Sequence, residues 1–271
     1  MNIAQQPVTL SRLCQQIHAS SALDMATMLQ HYFDYLRQRL HADMVGLLIA
    51  YRGKYVDEVW KADLLDDWKV MDYITPAGNI SSNWALCEAY YQQARAKGIG
   101  PVTRYALKHT GKTRTHRYAD VIQDNDEEWQ QHWKREALQA QNVGDRMIGV
   151  YHLDAEAESY LIVDRAMAAT PFSKEDEARL MDCLLEFPRL HYWLFLERGL
   201  LARHERPCSP KQREIIPLLF SSMTEKEIAE TIGVSRGTAH GYIVDIYRNF
   251  GVNSRAELAS LWFEALPVTE S

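Results

Sequence analysis

The fold of this chain is decided by residues 235–250, which read SRGTAHGYIVDIYRNF. At helical spacing, one side of this stretch is apolar and carries Ala239, Ile243, Ile246 and Phe250. The opposite side is small or polar and carries Gly237, Gly241, Val244 and Arg248. This periodicity predicts an amphipathic helix. A glycine inside a helix costs roughly 1 kcal/mol relative to alanine, so two exposed glycines one turn apart indicate that a large partner approaches the backbone there.

Capping signals on both sides of this stretch divide the end of the chain into short helices. A serine or threonine followed three residues later by glutamate or glutamine forms a capping box at a helix start. That spacing occurs at Ser209 and Gln212, at Thr224 and Glu227, and at Ser254 and Glu257. Ser235 is a further N-cap candidate. Together these signals predict four helices at about 209–221, 224–232, 235–250 and 254–265.

The second and third of these helices are separated only by Gly233-Val234-Ser235. Two short helices joined by a three-residue turn that contains glycine form a helix-turn-helix unit. The second helix of such a unit enters the major groove of DNA through its N-terminal part. The stretch 235–250 is therefore predicted to be a DNA recognition helix, and double-stranded DNA is the predicted partner.

The segment 208–260 closely resembles the LuxR-type (NarL/FixJ) DNA-binding domain. The resemblance rests on runs spread along the segment, among them Arg213-Glu214-Ile215-Ile216, Lys226-Glu227-Ile228-Ala229, Gly233-Val234-Ser235, Ile246-Tyr247-Arg248 and Arg255-Ala256-Glu257-Leu258. It implies an all-α, four-helix domain. The family pattern after Thr238 is usually Val-Lys-x-His, whereas this chain has Ala239-His240-Gly241-Tyr242. DNA binding remains the expectation, but the operator sequence stays open.

The residues predicted to contact DNA lie on or near the exposed side of the recognition helix and are Lys226, Ser235, Arg236, Thr238, His240, Gly241, Tyr242, Val244, Asp245 and Arg248. Lys226, Arg236 and Arg248 are candidates for phosphates or base edges. The hydroxyls of Thr238 and Tyr242 can donate to phosphates. Asp245 repels phosphate unless it accepts a hydrogen bond from a cytosine amino group or from a neighbouring arginine.

Composition bounds the rest of the interpretation. The 271 residues are 46% apolar and 24% charged, with a net charge of −6, which allows two globular domains but no wholly basic surface. Residues 203–256 carry eight basic and six acidic side chains, so affinity for DNA is expected to come from a dimer and local positioning. The four cysteines form no Cys-x-x-Cys pair, and no signal peptide or apolar span is visible. A cytoplasmic protein without a membrane partner is expected.

No chemistry-bearing motif supports an enzyme. The ten histidines include no pair at helical metal-ligand spacing, and no serine or cysteine nucleophile with a histidine partner stands out. Gly111-Lys112-Thr113 lacks the glycine that a phosphate-binding loop needs at position 106, and the basic run 108–117 is interpreted as a solvated loop. We therefore expect no catalytic residue, no metal and no cofactor.

The first two hundred residues alternate between helical and strand patterns. Predicted helices cover about 24–40, 81–97, 126–141, 174–187 and a further stretch to about 203. Predicted strands are 44–51, 146–153 and 159–165, with 55–60 as the hairpin partner of 44–51. Ser173 and Asp176 form a capping-box-like pair at the start of the predicted helix 174–187, and Pro188 should end or kink that same helix. This order predicts an α+β sheet with helices segregated around it.

Part of this region resembles GAF-like sensor domains that precede LuxR-type domains. The resemblance rests on Tyr118-Ala119-Asp120, a helix with Trp129 and Trp133, Val143-Gly144-Asp145, two strands ending at Arg165, and Pro171-Phe172-Ser173. It implies a GAF/PAS-like sensor or dimerisation domain. The predicted organisation is a sensor domain at 1–198, a linker at 199–207 and a helix-turn-helix domain at 208–271.

Six residues are candidates for lining a ligand cavity, because pockets combine aromatic side chains with a few polar anchors. They are Tyr51, Tyr55, Trp60, Trp68, Asp72 and Trp84. The alternative is that each is an ordinary core or surface residue. Acyl-homoserine-lactone receptors of this regulator class carry a Trp…Tyr…Asp-Pro pattern here, but Tyr73 follows the acid in this chain. That particular ligand is therefore disfavoured.

The sequence predicts a transcription regulator that senses a small molecule through its first domain and binds operator DNA as a dimer, as in quorum sensing. The last helix, with Leu258, Leu261 and Trp262, resembles the family's dimerising helix, and the helices between 174 and 203 could add a contact. RNA polymerase is a further candidate partner. The alternative is a ligand-independent regulator whose first domain is a protein–protein interaction module.

Overall fold

The computed structural model describes residues 25–52, 68–76, 98–122, 142–201 and 208–263, with a few isolated positions between them. The chain divides into two compact units, the first comprising Met1–Ser20 and Ala26–Pro188, the second Ser21–Met25 and Arg189–Ser271. The helices predicted around 81–97 and 126–141 lie almost wholly outside the described residues. Within the described residues, no helix is long and apolar enough to cross a membrane.

The first unit is built on an antiparallel sheet of five described strands in the order β2-β1-β5-β4-β3. The strands are β1 (Met44–Arg52), β2 (Trp68–Ile74), β3 (Arg114–Arg117), β4 (Val143–Asp154) and β5 (Ala157–Ala166). The predicted pair 146–153 and 159–165 is confirmed as the β4–β5 hairpin. The prediction of a mixed helix and sheet region is confirmed with it.

Strand β1 corrects one prediction. It pairs with β2 from Leu47 to Arg52, and with β5 from Met44 to Tyr51. Because both of its edges are occupied, the prediction that residues 55–60 return as its hairpin partner is wrong; those residues themselves lie outside the described ranges. Strand β2 was not predicted, because its sequence, WKVMDYI, places a lysine and an aspartate among the apolar residues and so lacks a continuous apolar run.

Two helices cover one face of the sheet, which we call the α4 face. Helix α1 spans Met25–Arg39 and helix α4 spans Lys174–Glu186. Tyr32 Oη of α1 donates to the Cys183 carbonyl of α4 at 3.2 Å. A Cβ added at Gly149 of β4 would lie 2.9 Å from Leu184 Cδ1, so α4 packs directly on the strand. The predicted capping box of Ser173 with Asp176 is confirmed, and α4 ends before Pro188 as predicted.

The opposite face, which we call the α2 face, carries helix α2 (Pro101–Lys108) and the short helix α3 (Tyr118–Val121). Leu107 of α2 packs against the buried pair Ala50 and Trp68. Pro101 lies in the first turn of α2. Backbone N–H groups in the first turn of a helix have no partner within the helix, so a proline there costs no hydrogen bond. The basic run 108–117 is not a solvated loop as predicted, because it contains β3 with the buried residues Arg114 and His116.

The second unit contains helices α5 (Pro188–Glu197), α6 (Pro210–Leu219), α7 (Glu225–Ile232), α8 (Arg236–Phe250) and α9 (Arg255–Phe263). Trp193 Nε1 of α5 donates to the Trp262 carbonyl of α9 at 3.0 Å. The Trp262 ring lies 5.0 Å from that of Phe220 and 5.5 Å from that of Phe250. Leu258 and Trp262 are thus buried in their own chain, which corrects their prediction as a dimer surface.

The buried His191 on α5 predicts a pH-dependent stability. Burial lowers the pKa of His191 to about 3, from an ordinary value of 6.5. Between these values the unfolded chain binds a proton that the folded chain excludes, so stability is lost as the pH falls below about 6.5, by up to about 1.4 kcal/mol per pH unit. Urea unfolding between pH 7 and pH 5 should show a smaller pH dependence for His191→Leu than for the unmodified chain. Equal slopes would contradict the prediction.

Candidate functional site

The positions of α6 and α7 are fixed by the predicted capping boxes. Ser209 with Gln212 and Thr224 with Glu227 both form the reciprocal pair of hydrogen bonds. The third predicted box is only half formed. Ser254 Oγ accepts from Glu257 N at 3.1 Å, but the Glu257 carboxylate accepts from Asn253 N at 2.8 Å. Glu257 therefore reaches one residue further back than a capping box requires.

The turn between α7 and α8 follows directly from its glycine. Gly233 has a φ of +71°, a conformation that side chains disfavour, and Val234 N donates to the Ala229 carbonyl at 3.0 Å. Ser235 then caps α8, because its Oγ accepts from Thr238 N at 3.1 Å. The hydroxyls of Ser235 and Thr238 also lie 2.8 Å apart. These bonds confirm the predicted three-residue turn and its N-cap.

Helix α8 has the two sides that its sequence predicts. The apolar side is buried and carries Ala239, Ile243, Ile246 and Phe250. It belongs to the core of the second unit with residues of α6 and α7, among them Ile215, Ile216, Leu219, Ile228, Ala229 and Ile232. The other side, which we call the exposed face, carries Gly237, Gly241, Val244 and Arg248.

The glycines of the exposed face are not required by packing within the chain. A Cβ added at Gly241 would have no heavy atom within 4 Å. At Gly237 the nearest atom would be Ser235 Oγ, at 4.0 Å. Both glycines have ordinary helical backbone, since neither has a positive φ. A larger residue at either position would therefore fit the described fold and favour the helix.

Several basic groups near this face are paired with carboxylates. His240 Nδ1 lies 3.2 Å from Glu225 Oε2 of α7, and Arg248 Nη1 donates to Asp245 Oδ1 at 2.7 Å. Lys226 lies 3.9 Å from Glu230 along α7. The sequence did not reveal the role of Glu225, because its approach to His240 depends on how α7 crosses α8.

The remaining predicted residues differ in exposure. Arg236 is exposed, and no described carboxylate lies within ion-pair distance of it. Tyr242 is half-buried, beside the apolar side of α8. Arg255 Nη1 donates to the Met223 carbonyl at 2.6 Å, so it anchors the segment before α7. Of the predicted cations, Arg236 is thus the one most available to an anion.

This arrangement defines a helix-turn-helix DNA-binding domain: α7 leads through a tight turn into α8, whose uncrowded side is exposed. Residues 207–262 match the family GerE, described as bacterial regulatory proteins, luxR family. The second unit therefore contains a LuxR-family domain of transcription regulation and DNA binding.

Comparison with solved structures gives distant likenesses. A structure described as SdiA in complex with octanoyl-rac-glycerol is 16% identical over 92% of this chain and 90% of its own, with a TM-score of 0.42. Escherichia coli SdiA is 17% identical over 97% and 93%, with a TM-score of 0.35. The VqsR LBD domain from Pseudomonas aeruginosa is 15% identical over 69% and 90%, with a TM-score of 0.39. No curated protein matches the sequence.

The structure separates the predicted ligand residues that it describes. Trp68 packs with Ala50 on the α2 face. Tyr51 directly follows Ala50 and so points to the α4 face, since successive residues of a strand alternate. Asp72 pairs with Ile49, which also faces α4. The other three candidates, Tyr55, Trp60 and Trp84, lie outside the described residues.

A buried ion pair lies on the α2 face, where the sequence predicted none. Arg114 Nη1 and Nη2 donate to the two carboxylate oxygens of Glu158, at 2.9 and 3.1 Å. Glu158 is fully buried and also accepts from Gly111 N and from Tyr160 Oη. Burial opposes the charge of Arg114, but the hydrogen bonds with Glu158 outweigh it and raise the pKa of Arg114. Arg114 therefore keeps its charge at neutral pH.

Beside this pair lie buried polar atoms that have no hydrogen-bond partner among the described residues. They are Nε of Arg114, both ring nitrogens of His116 and Nδ1 of His152. Burial is the main cause that lowers the pKa of His116 to about 4, so the ring is neutral at pH 7. Its ring packs 4.8 Å from that of Tyr105 on α2. A buried donor or acceptor left unpaired costs about 1–3 kcal/mol, so a hydrogen-bonding partner at the His116 ring would recover this free energy.

Proposed function

We propose that this chain is a transcription regulator that binds operator DNA as a dimer through α8 and senses a small molecule through its first, GAF/PAS-like unit. The observation that carries the DNA-binding part is the open space around Gly241 on the exposed face of a LuxR-family helix-turn-helix. A glycine that the fold does not need is explained by a partner that approaches the helix backbone. Such a regulator would act in the cytoplasm.

The predicted contact residues take distinct parts in this proposal. Gly237 and Gly241 let the helix backbone approach the groove. Arg236, which has no carboxylate within ion-pair distance in the part of the chain that the structure describes, binds phosphate. The side chains of His240, Arg248 and Lys226 contact DNA only when phosphate competes with their carboxylate partners, and the hydroxyls of Ser235, Thr238 and Tyr242 assist as donors.

Replacing Arg248 tests the contribution of this side of α8. We expect Arg248→Ala to abolish retention of specific DNA at physiological salt. At lower salt, where binding can be measured, the slope of log affinity against log salt should fall by about 0.9, the value for one phosphate contact. The matched variant Asp245→Asn frees the guanidinium and should strengthen binding. Fluorescence anisotropy with a labelled operator at several salt concentrations measures both. Unchanged affinity and slope in Arg248→Ala would count against this assignment.

A dimer is part of the proposal because one domain has little net attraction for DNA. Residues 208–263 contain six basic and six acidic side chains. Two domains on one palindromic operator, with half-sites about one helical turn apart, double the number of contacts. Leu258 and Trp262 are buried within their own unit, whereas Leu261 of the same helix is only partly buried and stays a candidate for the dimer contact. RNA polymerase remains a candidate partner of such a regulator.

The ligand-sensing part is supported by the α2 face. There an apolar cluster around Ala50 and Trp68 lies on the same side of the sheet as the unpartnered nitrogens of His116. A ligand with an apolar body and hydrogen-bonding groups would match both. The rival proposal is a first unit that binds another protein and no small molecule. Extraction and mass spectrometry of the purified full-length chain separate the two, since only a sensor would carry a small molecule.

The variant His116→Phe makes the ligand proposal specific. Phenylalanine keeps the packing against Tyr105 but removes both unpartnered nitrogens, so the folded chain should gain about 1–3 kcal/mol in stability. At the same time the chain should retain less of its ligand. Urea unfolding and quantitative mass spectrometry measure the two effects. A less stable variant would show that the ring nitrogens do have partners in the folded chain.

A further inference from the structure

The centre of the exposed face of α8 is apolar. Val244 is 38% exposed and is, among the described residues of the second unit, the exposed large hydrophobic side chain. On this face it lies between Gly241, one turn earlier, and Arg248, one turn later. Because Gly237 and Gly241 have no side chains, the two methyl groups of Val244 project beyond their surroundings on the N-terminal side.

The ionisable side chains near Val244 are held to either side of it by carboxylate partners. His240 is held towards Glu225 of α7, and the guanidinium of Arg248 is held by Asp245. A valine within a helix strongly prefers one rotamer, so its methyl groups have nearly fixed positions before any partner binds. The exposed face therefore offers a pre-arranged apolar contact at its centre, with paired charges on either side.

Only one base presents an apolar group in the major groove. The C5 methyl of thymine is that group, whereas the other base edges show hydrogen-bond donors and acceptors. Valine is short, but the glycines allow the backbone of α8 to come close enough for it to reach a base edge. We propose that Val244 packs against a thymine methyl group, so that each operator half-site carries a thymine read by apolar contact. This inference rests on the proposed DNA-binding function.

Uracil substitution tests the contact directly. Uracil pairs with adenine as thymine does and lacks only the C5 methyl group. Operator duplexes are first selected by the full-length chain from a random pool, and each thymine is then replaced singly by uracil. We expect one position in each half-site at which the replacement weakens binding about four-fold, the effect of one buried methyl group. Replacement at both half-sites should weaken binding about fifteen-fold.

Variants assign the effect to Val244. In Val244→Ala the difference between thymine and uracil should disappear at that position, while binding to uracil duplexes stays close to that of the unmodified chain. Leu185→Ala is the matched control, since Leu185 is an exposed aliphatic residue of the first unit, and it should leave the difference unchanged.

The outcomes separate the two levels of the proposal. A chain that selects no duplex from the pool overturns the proposed function. A chain that selects duplexes but binds them equally with thymine or uracil at every position overturns the methyl contact alone. A difference that persists in Val244→Ala overturns the role of Val244.

Discussion

We expect replacement of Gly241 with glutamate to abolish specific DNA binding and to leave the chain folded. The new Cβ meets no heavy atom within 4 Å, and glutamate favours a helix over glycine by roughly 0.5–1 kcal/mol, so thermal stability should rise slightly. The carboxylate, however, would project where the backbone of α8 is proposed to meet DNA. Juxtaposed like charges cost several kcal/mol, which weakens binding roughly 100-fold or more. Thermal unfolding and anisotropy on the same preparation measure both effects.

The control for this variant is Gly241→Ala, which adds one methyl group without charge. It should gain the same helical stability and lose less of the DNA affinity than Gly241→Glu. A folded Gly241→Glu chain that protects its operator as the unmodified chain does would show that α8 does not enter the groove. It would also leave the exposed glycines without an explanation.

Breaking the Arg114–Glu158 pair destabilises the first unit strongly. Arg114→Met leaves a fully buried carboxylate without its guanidinium, and such uncompensated charges cost about 3–5 kcal/mol. The double variant Arg114→Met/Glu158→Leu removes both charges and should recover most of that loss. Hydrogen exchange of β4 and β5 amides in the full-length chain, with urea unfolding, reports on this unit.

Lys174→Met is the matched control for that prediction. Lys174 forms ion pairs with Asp120 and Glu177, but its side chain is largely exposed. Its loss should therefore cost far less than the loss of Arg114, because solvent screens an exposed ion pair. Equal losses for Lys174→Met and Arg114→Met would show that burial of Glu158 does not govern the effect. If the double variant were as unstable as Arg114→Met, the loss of stability would come from disturbed packing and not from the unpaired charge.

Local signals in the sequence predicted local structure well. The apolar period of α8, the turn at Gly233 and the caps at Ser209, Thr224 and Ser235 involve residues at most a few positions apart. Their hydrogen bonds form within one turn of helix, so each can be inferred from its own segment. For the same reason, the DNA-binding unit could be predicted almost entirely from sequence.

The first unit was harder to predict because its interactions join distant segments. Arg114 was interpreted as part of a solvated loop, since its partner Glu158 is 44 residues away. The face of Asp72 depends on an irregularity in the β1–β2 register between Ile49 and Ala50. An extra residue at such a bulge reverses which side chains face inward, and no short-range pattern marks it.

The hydrogen bond from Trp193 to the Trp262 carbonyl has a practical consequence for isolating the DNA-binding part. A fragment that begins at residue 208 lacks α5, so the carbonyl of Trp262 loses its buried donor and the end of α9 loses the indole beside it. A fragment that begins at residue 188 keeps both. We therefore expect the fragment that begins at residue 188 to be more stable than the fragment that begins at residue 208.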